Sequence, residues 1–204
     1  MTTSFAILSV IILIISVVIH EVAHGYAAYK LGDSTAFRAG RLSLNPLVHL
    51  SWFGSVFLPF LLISTGSPVV FGYAKPVPYN PYNLSNRRWG ELIVALAGPA
   101  SNLVLALIFG LILRSGIIVN PQVFEIFVSI VFVNLALMIF NLVPIPPLDG
   151  SKILYSLFPE KQEIRNFLEK YSLTLVIVFI FFGWRYISPA VFWMFNLIVG
   201  ANVL

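Results

Sequence analysis

The sequence predicts an all-α polytopic membrane protein, a bundle of about four to six transmembrane helices with a re-entrant segment and short β-hairpin elements. Hydrophobic residues make up 59% of the 204 residues and charged residues only 10%, whereas a soluble domain has about 25% charged residues. The apolar residues fall into several long runs, which favours many spans over one. The chain has no cysteine, which excludes a disulfide framework, a thiolate metal site and a cysteine nucleophile.

The first half of the chain is predicted to contain one spanning helix followed by irregular segments. Phe5–Tyr29 is apolar without proline and long enough to cross a bilayer. The polar residues 30–48 predict a short extended or hairpin element. His49–Gly66 is apolar again but contains a glycine and a proline, and it remains ambiguous until charge is considered. Val69–Asn86, with three prolines, predicts an extended surface segment.

The second half predicts two further spanning helices and a mixed C-terminal region. Glu91–Leu113 and Pro121–Val143 are the spans, and prolines stop the second. Glu160–Tyr171 places its apolar residues on one face, as an amphipathic helix on a membrane does. Leu173–Phe182 and Ile187–Leu204 are either a tilted pair or one broken helix. We expect a single membrane domain over residues 1–204, with a core at 4–158 and C-terminal membrane segments at 167–204.

A metal-binding pattern, His-Glu-Val-Ala-His, occupies residues 20–24 inside the first apolar run. Four residues turn a helix by about 400°, so His20 and His24 share one face and can bind one zinc ion together. Glu21 lies on an adjacent face, where it can take a proton from water activated by the zinc. In a soluble helix, two unrelated surface histidines would explain the pattern equally well. Inside a membrane span, ionisable side chains are costly, which favours a functional cluster.

A catalytic zinc ion usually has three protein ligands, and Asp149 is one candidate for the third. It follows an unwound, proline-rich stretch that ends a spanning helix, and irregular backbone at membrane depth is tolerated only against protein or a cavity. The segment alone equally permits Asp149 to be the N-cap of the next helix. His49, the remaining histidine, is interpreted as a membrane boundary, and Glu91 and Glu125 as interfacial residues in first helical turns.

Three motifs in this order resemble the site-2 protease family of intramembrane zinc metalloproteases. The H-E-x-x-H pattern is followed by Ala97-Gly98-Pro99-Ala100-Ser101-Asn102, which is similar to the G-P-x-x-N helix of that family. Residues 141–150 then match N-x-x-P-x-P-x-L-D-G. Because no PDZ-like or CBS-like domain interrupts the chain, it resembles the minimal type of this family.

The resemblance implies a set of site residues and a reaction. It implies one Zn²⁺ per chain, held by His20, His24 and Asp149, with Glu21 as the general base. It also implies that Asn102 and Asn141 are catalytic polar groups near the substrate backbone. The expected activity is hydrolysis of peptide bonds in or near the transmembrane segments of membrane proteins. A substrate helix must unwind first, and the segments 37–45 or 69–77 are predicted to hold it as an added strand.

The basic residues predict orientation rather than a nucleic-acid partner, because they are scattered between apolar runs. If His49–Gly66 is re-entrant, ten of the twelve Lys and Arg residues lie in the cytosol, and only Arg114 and Arg185 lie outside. If that segment spans, most later basic residues lie outside, against the positive-inside rule. We therefore expect a re-entrant segment and a multi-pass protein of a bacterial or archaeal cell membrane, with the active site toward the cytosol. The N-terminus shows no pattern of a cleaved signal.

One alternative function remains: a catalytically inactive membrane protein of the same fold that binds metal or serves as a scaffold. A metal carrier needs ligands but no general base, so the presence of Glu21 favours the enzyme. The expected partners are a transmembrane protein or peptide substrate and membrane lipid. The substrate, the cleavage position and the oligomeric state do not follow from the sequence.

Overall fold

The computed structural model of the protein describes residues 3–57, 61, 64 and 75–200, and these residues are mainly helical. They include eight α-helices, named here in chain order: α1 (Thr3–Lys30), α2 (Thr35–Arg38), α3 (Arg87–Arg114), α4 (Pro121–Asn141), α5 (Asp149–Leu157), α6 (Gln162–Lys170), α7 (Ser172–Phe182) and α8 (Trp184–Val199). Short 3₁₀ turns lie at Pro46–His49 and Pro81–Asn83, and a π-helical turn lies at Trp52–Phe57.

Three of these helices are long and apolar enough to cross a membrane: α1 over Ile7–Lys30, α3 over Arg88–Arg114 and α4 over Pro121–Asn141. The pair α7 and α8 would supply a fourth span if it is counted as one broken helix, because the pair is bent by 61° at the break. The prediction of a polytopic helical membrane protein is therefore confirmed, but the described residues contain three or four candidate spans, where four to six were expected.

Helix α3 is the centre of the bundle, since it packs against α1, α4, α5 and α8. Its contacts with α4 and α8 form the main apolar core, in which Ala106, Leu135, Val191 and Phe195 are almost completely buried. Burying each large apolar side chain contributes about 1.5–3 kcal/mol where it leaves water. Within a bilayer the same residues act mainly through close packing, because lipid is as apolar as they are.

Asparagine side chains mark where α3 and α4 begin. Asn86 accepts a hydrogen bond from the backbone N–H of Trp89 at the start of α3. Asn120 accepts from the N–H groups of Gln122 and Val123 at the start of α4, which has a proline as its first residue. These contacts satisfy backbone donors that have no partner within the helix. Helix α4 ends at Asn141, before the prolines of residues 144–147.

Of the extended or hairpin element predicted for residues 30–48, the hairpin is not confirmed, because this stretch contains the helical turn α2 and the 3₁₀ turn that starts at Pro46. Local turns and a few side chains, not a partner strand, satisfy its backbone. The buried guanidinium of Arg41 donates to the carbonyls of Val48, Lys75 and Pro76. No β-strand occurs among the residues that the structure describes.

The buried carboxylate of Asp33 forms hydrogen bonds that hold the end of α1 beside the segment before α3. It accepts hydrogen bonds from the backbone N–H of Asn80 at 2.7 Å and from the Asn83 side chain at 2.8 Å. It also accepts from the hydroxyl of Thr35 at 2.6 Å, and Leu31 accepts from the N–H of Ser85 at 2.9 Å. The chain between these two points therefore begins and ends at the same end of the bundle.

Seven of the eighteen residues of the predicted re-entrant segment His49–Gly66 lie outside the described residues, so the re-entrant path stays a prediction. The described part contains the end of the first 3₁₀ turn and the π-helical turn Trp52–Phe57. The extended stretch predicted from Val69 is described from residue 75 onward, and residues 75–80 are free of regular structure, as expected.

The C-terminal region follows the predicted order with one shifted boundary. Helix α6 occupies most of the predicted amphipathic stretch, and its residues Ile164 and Phe167 are 48% and 56% exposed. The interruption predicted before Ile187 is shorter than expected, because α8 begins at Trp184, directly after Gly183. A single residue therefore separates α7 from α8.

We predict that Asp33→Asn lowers the melting temperature in detergent at pH 7 by several degrees. Hydrogen bonds to a charged group stabilise by about 1.5–3 kcal/mol, and the amide replaces a carboxylate oxygen that accepts hydrogen bonds. Burial raises the pKa of Asp33. Hydrogen bonds from Thr35, Asn83 and Asn80 lower it by a larger amount, so the pKa in the folded protein is below the ordinary value. The stabilisation is therefore present above the unfolded pKa of about 3.9 and is lost as the pH falls through the lower folded value.

The difference in melting temperature between the wild type and Asp33→Asn should accordingly shrink below about pH 4. The matched control is Glu169→Gln, which removes an exposed carboxylate that pairs with Arg165 and should change the melting temperature little. Equal stability of the wild type and Asp33→Asn at pH 7 would contradict the fastening role of this carboxylate.

Candidate metal centre

The side chains of two histidines on α1 and of one aspartate far away in sequence meet in the interior of the bundle. Oδ2 of Asp149 lies 3.1 Å from Nε2 of His20 and 3.0 Å from Nε2 of His24. The two Nε2 atoms are 3.0 Å apart. All three residues are buried, with exposed fractions of 5%, 7% and 6% for His20, His24 and Asp149. Together they form a group that can hold one metal ion.

The two helices that carry these residues explain how they meet. His20 and His24 are one turn apart on α1, so their side chains lie on one face, as the sequence predicts. Asp149 is the first residue of α5, and the N-cap is Leu148. The carboxylate is therefore not the N-cap that the sequence also permitted, because its Oδ2 faces the imidazoles and its Oδ1 faces Lys152 at 3.4 Å.

A glycine allows α5 to start against the end of α4. A Cβ atom on Gly150 would lie 2.2 Å from the carbonyl oxygen of Leu142 and 2.4 Å from that of Val143. No side chain fits at this distance from backbone atoms, so only glycine permits the approach. This approach brings the neighbouring Asp149 to the histidines.

The outer nitrogens of both imidazoles also have partners. Nδ1 of His24 lies 2.6 Å from the carbonyl oxygen of Val94 on α3, which is an acceptor only. Nδ1 of His20 lies in hydrogen-bond contact with Oδ1 of Asn102, on the same helix. Both contacts place the proton on Nδ1 and leave Nε2 without one in a neutral imidazole. Partners of this kind orient metal-ligating histidines.

A buried chain of amides fixes the orientation of Asn102. Nδ2 of Asn134 donates to the backbone carbonyl of Ile130 at 2.8 Å and to the hydroxyl of Ser16 at 3.0 Å. Since that nitrogen is the donor, Oδ1 of Asn134 must accept from Nδ2 of Asn102, at 2.8 Å. The remaining atom of Asn102, its oxygen, therefore faces His20. Both asparagines are fully buried.

The role of Asn134 and Ser16 does not follow from the sequence motifs, because neither residue belongs to one. A signal was nevertheless available, since Asn134 is an amide in the middle of an apolar span. Polar residues inside spans usually face the bundle interior and pair with one another.

The three inner atoms, two Nε2 and one Oδ2, are all acceptors in the neutral imidazole state. Acceptors about 3 Å apart repel one another unless a cation, either a proton or a metal ion, lies among them. Zinc bonds to nitrogen and oxygen measure about 2.0–2.2 Å, which places tetrahedral ligand atoms about 3.3 Å apart. The distances of 3.0–3.1 Å are close to this value, so the donor set fits zinc.

Helix α3 leaves room for the ion at Gly98. A Cβ atom at this position would lie 2.3 Å from Nε2 of His24 and 2.5 Å from Nε2 of His20. It would therefore occupy the space in front of both ring nitrogens. The next residue, Pro99, has no N–H to donate to the carbonyl one turn back. Glycine at position 98 thus keeps open the side of the cluster that faces α3.

Glu21 lies beside the cluster but is not a member of the metal-binding group. Its Oε2 accepts a hydrogen bond from the backbone N–H of Val77 at 2.8 Å. Val77 belongs to the extended stretch that follows residue 75. This contact connects the H-E-x-x-H helix to the segment before α3.

Two other residues considered in the sequence make hydrogen bonds to backbone carbonyls outside the His-His-Asp group. Asn141 donates to the carbonyl of Leu137 at 3.0 Å, one turn back in α4. His49 is buried, and its Nε2 lies 2.7 Å from the carbonyl oxygen of Ser43. His49 therefore helps to fold the loop after α1 and does not complete the metal group.

Comparisons with known proteins agree on one family. The sequence profile of peptidase family M50 matches residues 8–120 and 112–183. A relative from Bacillus subtilis, named "Putative zinc metalloprotease YwhC", is 40% identical over 161 residues, which are 74% of this chain and 68% of the relative. No solved structure matches the chain.

More distant relatives carry similar names. "Putative zinc metalloprotease Rip2" of Mycolicibacterium smegmatis is 31% identical over 188 residues, which are 91% of this chain and 69% of the relative. "Putative zinc metalloprotease MJ0611" of Methanocaldococcus jannaschii is 33% identical over 162 residues, which are 74% of this chain and 73% of the relative. These relatives and the His-His-Asp group together support zinc as the cofactor.

We predict that Gly98→Ala abolishes stoichiometric zinc binding, because the added methyl group fills the space in front of both Nε2 atoms. Alanine favours a helix by about 1 kcal/mol over glycine, so the helix itself should persist. Zinc per chain, measured by elemental analysis after purification, should fall from near one to near zero. Ala100→Val, an exposed change on the same helix, should keep the zinc. Full zinc occupancy in a folded Gly98→Ala protein would show that Gly98 does not border the ion.

Proposed function

Because the chain belongs to peptidase family M50, we propose that it is an intramembrane zinc metalloprotease that hydrolyses peptide bonds in or near the transmembrane segments of membrane proteins. The observation that carries this proposal is the burial of the His-His-Asp group against α1, a helix long and apolar enough to cross a membrane. Such a cluster is costly inside a span unless it has a function.

The ligands proposed for the ion are His20, His24 and Asp149. When bound, zinc supplies a Lewis acid that polarises water and the carbonyl of the scissile peptide bond. Zinc with three protein ligands keeps a fourth position open, which is the arrangement of catalytic sites. The second contacts of His20 with Asn102 and of His24 with Val94 hold each ring in place.

Glu21 is proposed as the general base. The hydrogen bond from Val77 engages its Oε2 and leaves Oε1 to accept a proton from the attacking water. The same oxygen then returns this proton to the nitrogen of the leaving amine, as the peptide C–N bond breaks. The contact with Val77 fixes the carboxylate beside the metal group without making it a ligand.

The two asparagines named by the family resemblance differ in their surroundings. The amide oxygen of Asn102 contacts His20, and its nitrogen donates to Asn134. Because both ends are engaged and the side chain is fully buried, we assign Asn102 as a positioning residue for His20. Asn141 is only half-buried, so it remains our candidate for contact with the substrate backbone.

The alternative, an inactive metal-binding or scaffold protein, is less well supported. Metal storage requires the three ligands but not a carboxylate held beside them. Glu21 is held in this position by a backbone N–H. The carboxylate held beside the ligands favours hydrolysis over metal storage.

We further propose that the site opens toward the cytosol of a multi-pass cell-membrane protein. The positive-inside rule supports this orientation, with Lys30 at the end of α1 and most basic residues on that side. The hydrogen bonds of Asp33 give independent support, since they hold the end of α1 beside the segment before α3. The residues between them therefore leave and return at one side of the bundle, as a re-entrant segment does.

We predict that Glu21→Gln abolishes cleavage of a membrane-protein substrate while it keeps zinc near one ion per chain. Loss of a general base reduces the rate by about 10²–10⁴-fold or more, whereas the metal ligands are unchanged. Asp149→Asn should lose both zinc and activity. Glu125→Gln, a change in an exposed carboxylate near the start of α4, should keep both.

The assay is cleavage of co-reconstituted membrane proteins, together with identification of those that accumulate on the Glu21→Gln variant in native membranes. Cleavage by a folded, zinc-loaded Glu21→Gln protein would refute the proposed base. Zinc binding by Asp149→Asn would refute the proposed ligand set.

The orientation gives a separate prediction, for which the absence of native cysteine is useful. Single cysteines at Ser85, Ser115 and Gln162, all exposed, can be labelled in intact cells with a thiol reagent that does not cross membranes. Only Ser115→Cys, after the end of α3, should react. Permeabilised cells should label all three, which controls for reactivity. Labelling of Ser85→Cys in intact cells would overturn the proposed orientation.

A further inference from the structure

A cavity with basic walls lies where the start of α3 meets the end of α5 and the start of α6. Its volume is about 290 Å³, and its walls include Arg88, Lys161 and Arg165 with one carboxylate, Glu91. Arg165 also pairs with Glu169 at 2.8 Å, so Arg88 and Lys161 supply most of the positive charge. Arg88 donates to the backbone carbonyls of Ser156 and Leu157. These contacts orient the guanidinium but do not neutralise its charge. Basic cavities between membrane helices bind anionic lipid headgroups.

A second cavity of about 240 Å³ adjoins the first and has mostly apolar walls. The two cavities share Tyr155, Phe158 and Lys161, while Leu154 and Ile164 belong to the second alone. A basic compartment beside an apolar one matches a ligand with an anionic head and a hydrocarbon chain.

The position of both cavities is that of a membrane surface. Arg88 begins the span of α3, so the basic cavity lies at the end of a spanning helix. Helix α6, which borders both cavities, exposes the apolar residues Ile164 and Phe167. A helix with this pattern lies in the headgroup region, with its apolar face toward the acyl chains.

Tyr155 lies between the two cavities and carries a buried hydroxyl group. Among the described residues, its buried oxygen has no hydrogen-bond partner, and an unpaired buried polar group is destabilising. The guanidinium of Arg165 lies over its ring, 5.0 Å from the centroid. Burial and the nearby Glu169 raise the pKa of Tyr155, so the hydroxyl remains a donor at neutral pH.

We propose that these two cavities form one binding site for an anionic phospholipid. Its phosphate diester lies among Arg88, Lys161 and Arg165, and one acyl chain occupies the apolar cavity beside Ile164. The site is distinct from the metal centre and does not depend on the proteolytic activity. A free phosphate ion satisfies the basic walls alone, whereas the apolar cavity requires a lipid.

The test is native mass spectrometry of the full-length protein in detergent, titrated with palmitoyl-oleoyl phosphatidylglycerol or with the matching phosphatidylcholine. The wild type should retain one phosphatidylglycerol in preference to phosphatidylcholine. Lys161→Gln should weaken this binding about fivefold, and Lys161→Gln with Arg165→Gln more strongly, from the contribution of each basic side chain near anionic lipid. Ile164→Gln should weaken it through the apolar cavity.

Lys170→Gln is the matched control, since it removes an equal charge from α6 outside the walls of both cavities. It should leave phosphatidylglycerol binding unchanged. Inorganic phosphate and glycerophosphoglycerol, which lack acyl chains, should not displace the lipid at equal concentration. Equal retention of both lipids, equal weakening by Lys170→Gln, or full displacement by inorganic phosphate would each overturn the proposal. The melting temperature of each variant without added lipid shows that it is folded.

Discussion

The need to satisfy polar groups inside a hydrophobic medium governs this structure more than any other constraint. His20, His24 and Asp149 would each be costly to bury alone. They converge so that one cation can lie among their three acceptor atoms. Their convergence requires α1 and α5 to meet against α3. This packing in turn requires glycine at positions 98 and 150, where a Cβ atom would clash. The metal group is therefore both the proposed reactive site and a structural link between the two halves of the chain.

Helix α3 concentrates several different requirements within two turns. Val94 supplies a carbonyl to one imidazole, Gly98 leaves space in front of both, and Asn102 supplies an amide oxygen to the other. The spacing of four residues places all three on one face. Asn134 on α4 then fixes the orientation of Asn102. A chain of hydrogen bonds thus runs from the ligand His20 through Asn102 on α3 and Asn134 on α4 to a backbone carbonyl.

Features with a local cause could be predicted from the sequence, whereas features set by distant contacts could not. The long apolar runs and the i, i+4 histidines predict the spans and the paired imidazoles, because both depend on helical periodicity. For Asp149 the sequence left ligand and N-cap equally open, since the choice depends on α1, more than a hundred residues away. The hairpin predicted as one possibility for residues 30–48 is not confirmed, because local turns and the side chains of Asp33 and Arg41 satisfy backbone groups that a strand partner would otherwise take. The role of Asn134 could not be predicted from a motif, because this residue lies outside all of them.

Gly98 has a consequence for which ions can enter the cluster. The backbone of α3 stands directly in front of two ring nitrogens, with no side chain between them. Since packed helices resist separation, this backbone acts as a fixed wall, and the gap in front of the imidazoles limits the ionic radius that fits. A larger cation with longer bonds would have to push α1 and α3 apart. We therefore expect the spacing of α1 and α3 to favour small cations, where nitrogen and oxygen donors alone would follow the general order of affinity.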